Sequence, residues 1–329
     1  MPPTFLFKGL HMLLLTGAAG FIGSNVLRTL NAQGISEIIC VDDLTNGTKC
    51  QNLADKRFVD YIDYRQLFRE IKPLHRLNGI LHLGACSDTG VQNGFEICEV
   101  NYTYTKRLIR LAKRLECPMV YASSASVYGQ GHSGFRELPE CERPMAPYAF
   151  SKWLVDQYVR YHTDPAHRNI TIPIAGVRYF NVYGPGEQHK DQMASFAYKL
   201  FSAAQQKKRV AIFEGSENFK RDFIYVQDAV DITLFLLNKQ MTGIYNAGTG
   251  SPRSFADIAD IAEKLAGWDA RVLTPMSEEM KNRYQAYTCA DTSKLRAAGY
   301  TAPFTSLEAG LTQYWQAMGG TDGTSRVQL

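Results

Sequence analysis

Short apolar runs recur along the chain, and each ends in small or polar residues. Met12-Leu13-Leu14-Leu15-Thr16 runs into Gly17-Ala18-Ala19-Gly20-Phe21-Ile22-Gly23, and Glu37 to Val41 runs into Asp42-Asp43. Asn78 to Gly84 leads to Ala85-Cys86-Ser87, Pro118 to Ala122 to Ser123-Ser124, and Ile172 to Val177 to Arg178-Tyr179-Phe180-Asn181. Such runs, short and without alternation, predict strands buried on both faces. Between them, Ser24 to Gln33, Phe95 to Glu116 and the stretch opening at Tyr148 carry helical spacing. Strands alternating with helices predict an α/β fold on a Rossmann-type doubly wound parallel sheet. A smaller mixed α/β lobe is expected from 183–221 and 251–320, with the chain returning to the large lobe over 222–250. Residues 1–11 and 320–329 read as terminal extensions, the latter as a disordered tail.

The first strand, glycine turn and helix open like a dinucleotide site, with G-x-x-G-x-x-G spacing. Gly17 permits a tight turn, Gly20 lets backbone approach a pyrophosphate, and Gly23 lets helix and strand pack closely. The helix start offers its unpaired amides to phosphate. The large lobe, 12–182 with 222–250, is therefore the expected cofactor domain. Asp42-Asp43 lies about twenty residues beyond the turn, where an acid can bind the adenosine ribose. Lys49 follows within reach; it could hold a 2′-phosphate or be a solvated surface lysine. Tyr148 and Lys152 stand four apart on a helix and so project from one face. A phenol beside an ammonium is a candidate base for an alcohol proton. Ser124, at a strand's carboxyl end, sits where ligands bind in open α/β sheets; its bland alternative is a capping serine.

Composition narrows the classes without adding chemistry. Apolar content of 45% and charged content of 21% are ordinary for a globular protein, and the net charge of +4 is spread out. With no basic run of five or more, nucleic acid is not an expected partner. No apolar run reaches the roughly 20 residues that span a bilayer, so no membrane is expected either. The seven cysteines include no C-x-x-C, which suits free thiols in a reducing, cytoplasmic compartment. Cys40, Cys86, Cys98 and Cys117 sit among apolar neighbours and read as buried inert thiols. The histidines show no ligand spacing, so no metal is expected.

Taken together, G-x-x-G-x-x-G, Ser124-Ala125-Ser126-Val127-Tyr128-Gly129, Tyr148-x-x-x-Lys152, Arg178-Tyr179-Phe180-Asn181-Val182-Tyr183-Gly184-Pro185 and Arg221-Asp222-Phe223-Ile224-Tyr225-Val226-x-Asp228 resemble the extended short-chain dehydrogenase/reductase superfamily over roughly residues 12 to 318. Further strings resemble its ADP-L-glycero-D-manno-heptose 6-epimerase family. These are Gly84-Ala85-Cys86-Ser87, His189-Lys190, Phe213 to Asp222, Arg283 to Thr288 and Leu295 to Tyr300. The resemblance implies a heptose donor for lipopolysaccharide inner core, bound NADP (NAD remaining possible), an ADP-heptose substrate and a homo-oligomer, typically a pentamer. It implies Tyr148 and Lys190 as the two acid/base groups, with Lys152 and Ser124 assisting. It implies cofactor contacts from Phe21, Ile22, Asp42, Asp43, Lys49, Leu83, Gly84, Ala85, Cys86, Ser87, Asn101, Lys152, Val182 and Lys190. The substrate contacts it implies are Asn181, Gln192, Lys199, Phe213, Glu214, Gly215, Ser216, Arg221 and Tyr284.

The residues temper this in places. Leu83 stands where the family often has a glutamate, Tyr64 where a lysine can contact cofactor, and Gln192 and Lys199 where a serine and a histidine are common. Read without the resemblance, Lys190 is a surface loop lysine, Arg221 an ion-pair partner of Asp222 or Asp228, and Tyr284 a packed aromatic. UDP-hexose 4-epimerase shares the Ser-Tyr-Lys set but is disfavoured by the His189-Lys190 insertion and the Phe213 to Asp222 string. A 4,6-dehydratase would need an acid pair where this chain has Ala125-Ser126. A non-catalytic cofactor-binding relative has no need of Tyr148 and Lys152, both of which are present.

Overall fold

The computed structural model describes residues 12–70, 77–88, 90–277 and 285–320. The expected extension 1–11, nearly all of the expected tail and Tyr284 lie outside the described residues. Seven strands form one parallel sheet: β1 (Leu13–Thr16), β2 (Ile38–Asp42), β3 (Asp60–Asp63), β4 (Gly79–His82), β5 (Met119–Ser124), β6 (Ile174–Tyr179) and β7 (Gly243–Ala247). Their spatial order is β7-β6-β5-β4-β1-β2-β3. The chain thus builds outward in both directions from β1. The reversal between β1 and β4 leaves a crevice at the strands' carboxyl ends, where ligands of doubly wound folds bind.

Both faces of the sheet are covered. Leu13 and Leu15 pack into one core with α1 (Phe21–Ala32) and a later helix, Val226–Asn238. Leu14 points the other way, into a second core with Tyr104–Arg114 and Pro147–Thr163. This two-sided burial is why the first strand is an unbroken apolar run. Strand β3 was not evident in the sequence. Aspartates close both its ends and only Ile62 is buried, as suits an edge strand.

Boundaries shift for local reasons. Helix α1 begins at Phe21, ahead of the expected Ser24, because Gly20 takes an extended N-cap conformation. The helix expected over 95–116 is interrupted. Gly94–Cys98 passes into a π-turn, Glu99–Thr103, before Tyr104–Arg114 resumes. Outside the sheet, Asn181–Tyr183 pairs with Phe223–Tyr225, Lys220–Arg221 with Arg253–Ser254, and Val210–Phe213 with Arg271–Thr274. No helix among the described residues is long and apolar enough to cross a membrane.

Candidate active site

A cavity of about 780 Å³ opens at the crevice between β1 and β4. Its floor is the glycine turn. Gly17 has φ +71°, and a Cβ there would fall 2.5 Å from the Gly84 nitrogen. A Cβ on Gly23 would meet the Gly17 carbonyl oxygen at 1.9 Å. Side chains at either position would push helix, turn and the β4 loop apart. The α1 amides carry no side-chain cap, so they are available to an anion at the helix start. An uncapped helix N-terminus on a glycine cradle fits the pyrophosphate of a dinucleotide.

Asp42 lines the cavity and is also tied to the backbone around it. One carboxylate oxygen accepts from the Ala19 amide at 2.7 Å, and the other from the Asp43 amide at 2.6 Å and from Lys49. Lys49 also donates to the Asp43 carbonyl at 2.8 Å. Asp42 is thus a buried brace for the glycine turn, and Lys49 is held at the rim beside it. Asp43 accepts from Thr45, and it does not line the cavity.

On the other side of the turn runs a directed hydrogen-bond chain. The Gly84 amide donates to Thr16 Oγ1 at 3.2 Å, and Thr16 pairs with His82 Nδ1 at 2.6 Å. His82 Nε2 faces Thr105 Oγ1 at 2.8 Å, whose own proton goes to the Asn101 carbonyl at 2.6 Å. Since Thr105 has spent its proton, His82 donates from Nε2, and in the neutral ring its Nδ1 accepts from Thr16. Burial, with the Lys152 charge adding to it, pushes His82 down to about 3. Asn101, in the π-turn, accepts from the Cys86 amide and donates to the Cys86 carbonyl and to Ser151 Oγ. Ser151 in turn donates to the Tyr148 carbonyl at 2.7 Å. Asn101 and Cys86 do not line the cavity; Asn101 fastens the 83–87 loop to the Tyr148 helix.

That helix, Pro147–Thr163, starts with proline at its first position and brings Tyr148 and Lys152 to the cavity. Burial raises the Tyr148 phenol above its ordinary value, and a hydrogen bond with Ser124 opposes the rise. The expected depression by Lys152 does not appear in the protein alone. The ammonium lies 6.0 Å from the ring centre and donates to the Ala122 carbonyl at 2.9 Å. Burial brings Lys152 down to about 8, with Asp156 one turn on pulling it back up. Asp156 is fully buried and accepts from Tyr121, Ser123 and Arg178, each at 2.9 Å. Arg178 also pairs with Glu142, which takes Arg160 and Gln157 as well. The site's helix therefore rests on a buried ionic network.

Lys190 reaches the cavity from 187–195, an excursion of irregular and 3₁₀ backbone. Its ammonium lies 5.4 Å from the Phe21 ring centre, and burial lowers its pKa while Glu187 raises it. Asn181, Val182, Lys199, Leu83, Ala85, Ser87 and Ile22 also line the cavity. Phe213, Glu214, Gly215, Ser216, Arg221 and Gln192 do not, though the Gln192 carbonyl accepts from Lys199 at 2.8 Å. His189 and Phe223, each part of a string noted above, line the cavity too, and so do Met193, Phe196 and Phe255, which no motif marked. Phe255 packs edge-on against both Phe196 and Phe223, a meeting of three distant segments invisible to local spacing. Of the thiols expected to be buried, Cys40 and Cys117 are, whereas Cys86, in the loop after β4, and Cys98, where the Gly94–Cys98 helix passes into the π-turn, are partly exposed.

Solved structures resemble this architecture over nearly the whole chain. The Helicobacter pylori ADP-L-glycero-D-manno-heptose-6-epimerase is 27% identical, covers 96% of this chain and 99% of its own, and superposes with a TM-score of 0.84. The Thermotoga maritima UDP-glucose 4-epimerase is 26% identical, with coverages of 93% and 98% and a TM-score of 0.80. The Methanobrevibacter ruminantium UDP-N-acetylglucosamine 4-epimerase, at 21% identity and TM-score 0.81 over 94% and 98%, shares the fold. Residues 13–248, which carry the whole central sheet, the glycine cradle and the Tyr148–Lys152 helix, match one family throughout. The chain belongs to the NAD dependent epimerase/dehydratase family.

Proposed function

We propose that this epimerase interconverts ADP-D-glycero-β-D-manno-heptose and ADP-L-glycero-β-D-manno-heptose at C6″, supplying heptose for lipopolysaccharide inner core. The observation that carries the reading is Lys190. A second ionisable side chain, half-buried, enters the Tyr148 cavity from a separate segment, and lost solvation there lowers its pKa. The full-length likeness to the Helicobacter pylori enzyme supports the same substrate class. We further propose NADP as the cofactor, with NAD as the alternative, a homo-oligomer of this chain as the working form, and a division into cofactor and sugar lobes at 12–182 with 222–250 and 183–221 with 251–320.

Gly17, Gly20, Gly23 and the α1 amides would hold the pyrophosphate, Lys49 a 2′-phosphate, and Lys152 and the 83–87 loop the nicotinamide end. The chemistry supplied by such a group is reversible uptake of a hydride from carbon. Tyr148 takes the C6″ hydroxyl proton, with Ser124 orienting that oxygen. After the ketone turns over, Lys190 serves the oxygen in its other orientation, so hydrogen returns to the opposite face. Residues from 192, 199, 213–216 and 221 are proposed to shape the sugar-nucleotide end.

Incubating the purified protein with ADP-D-glycero-D-manno-heptose tests the reading: the 6″ epimer should appear, without solvent deuterium at C6″. A second reading, UDP-hexose 4-epimerase, draws on the Thermotoga maritima likeness, which is nearly as strong. Turnover of UDP-glucose with none of the heptose would select it.

A further inference from the structure

Glu187 is a carboxylate with no exposed surface at one end of the Lys190 excursion. One oxygen accepts from the Ser195 amide at 2.6 Å. The other accepts from the Ser195 hydroxyl at 2.5 Å and from Tyr314 Oη at 3.0 Å. It therefore joins both ends of 187–195 to each other and to the C-terminal helix, Leu307–Ala317. Within the loop the Lys190 amide donates to the Glu187 carbonyl at 3.0 Å. The next residue, Asp191, is held at φ +46° and ψ −118°, a conformation that persists only where surroundings enforce it. Ser195 also caps the following helix, Phe196–Gln205, through the Tyr198 amide, so the clamp continues into a further wall of the cavity.

We propose that Glu187 and Tyr314 are the positioning residues of the Lys190 loop: one buried carboxylate ties the two ends of the loop to each other and to the C-terminal helix, and so fixes where the ammonium sits. The groups around Lys190 are Glu187, His189 and Asp191 of its own loop and the Phe21 ring of α1. Lys49 and Asp42 stand beyond His189. Glu187 is the group among these that favours the charged amine. A buried carboxylate is costly unless its lone pairs are filled. Burial pushes the Glu187 carboxyl above its ordinary value, and the hydrogen bonds from Ser195 and Tyr314 oppose that rise. The clamp's catalytic consequence rests on the role proposed above for Lys190; its structural and electrostatic consequences do not.

The test uses the full chain with Glu187→Gln, which keeps the shape and removes the charge, and Tyr314→Phe, which keeps the charge and removes one hydrogen bond. Hydrogen exchange over 188–195 reads the clamp. The pH dependence of Lys190 acetylation by limiting acetic anhydride, followed by peptide mass spectrometry, reads the charge. Expected for Glu187→Gln are exchange over 188–195 faster by about tenfold, with other segments unchanged, and a Lys190 titration midpoint moved to lower pH. Tyr314→Phe should speed exchange without moving the midpoint. In turnover, Glu187→Gln should lower kcat by about tenfold with KM nearly constant, as loss of a transition-state interaction requires. Parental exchange and midpoint in Glu187→Gln would overturn the proposal. If Lys190→Met turns over normally, the acid/base role proposed for Lys190 falls instead, while exchange over 188–195 in Glu187→Gln still judges the clamp.

Discussion

The two lysines of the cavity are held by contrasting structures. Lys152 projects from a 17-residue helix, donates to a strand carbonyl and stands one turn from Asp156, itself locked by Arg178, Tyr121 and Ser123. Lys190 rides on an irregular excursion through a strained Asp191, its two ends joined by the buried carboxylate of Glu187 and its middle touched by Asn46, Asn52 and Lys199. The first is bedded in the sheet's own core; the second depends on a clamp to the end of the chain. Damage on the Lys152 side should therefore cost folding stability as well as turnover. Damage on the Lys190 side should cost turnover with the fold intact.

The largest effect expected is from Tyr148→Phe, which should lower kcat about 10³-fold while dinucleotide binding, followed by fluorescence titration, persists. Next, Arg178→Met leaves Asp156 and Glu142 buried without their shared cation. It should cost about 3–5 kcal/mol in urea denaturation. Lys190→Met should leave the urea midpoint at the parental value, and a matching loss there would erase the contrast.

A smaller effect concerns His82. Its folded pKa, about 3, lies below the ordinary 6.5. Between those values the unfolded chain binds a proton that the folded chain does not, so stability falls as pH drops. From pH 7 to 5 the loss should be about 2 kcal/mol. His82→Gln should flatten that slope, and an unchanged slope would place the acid sensitivity elsewhere. Smallest is Lys49→Met, expected to weaken NADP more than NAD by about tenfold in direct titration. Equal weakening would make Lys49 only a partner of Asp42.

Much of the Lys152 side was legible in sequence because its signals are local. An apolar run ending in glycines, a serine at a strand end and a tyrosine four residues before a lysine each fix their own geometry. The Lys190 side was legible only through resemblance, since nothing near Lys190 distinguishes it from a surface lysine. What buries it is Phe21, and what holds its loop is Tyr314, both distant in sequence. The same gap explains why the bracing bonds of Asp42 and Asn101 to the backbone around the cavity could not be read from their spacing. A residue type at the right spacing names a location; which partner takes its lone pairs is decided by segments that meet only on folding.

The position of β7 bears on how the molecule is made. This strand lies beside β6, yet the chain passes through Val210–Phe213 and pairs Phe223–Tyr225 with Asn181–Tyr183 before reaching Gly243. A nascent polypeptide stopped short of Gly243 carries β6 as a naked border of unpaired amides and carbonyls, the surface on which strands from other molecules add. Synthesis at about 5–20 residues per second keeps that border open for seconds. Chaperone demand during translation should therefore peak in the window between the completion of β6 and the arrival of β7.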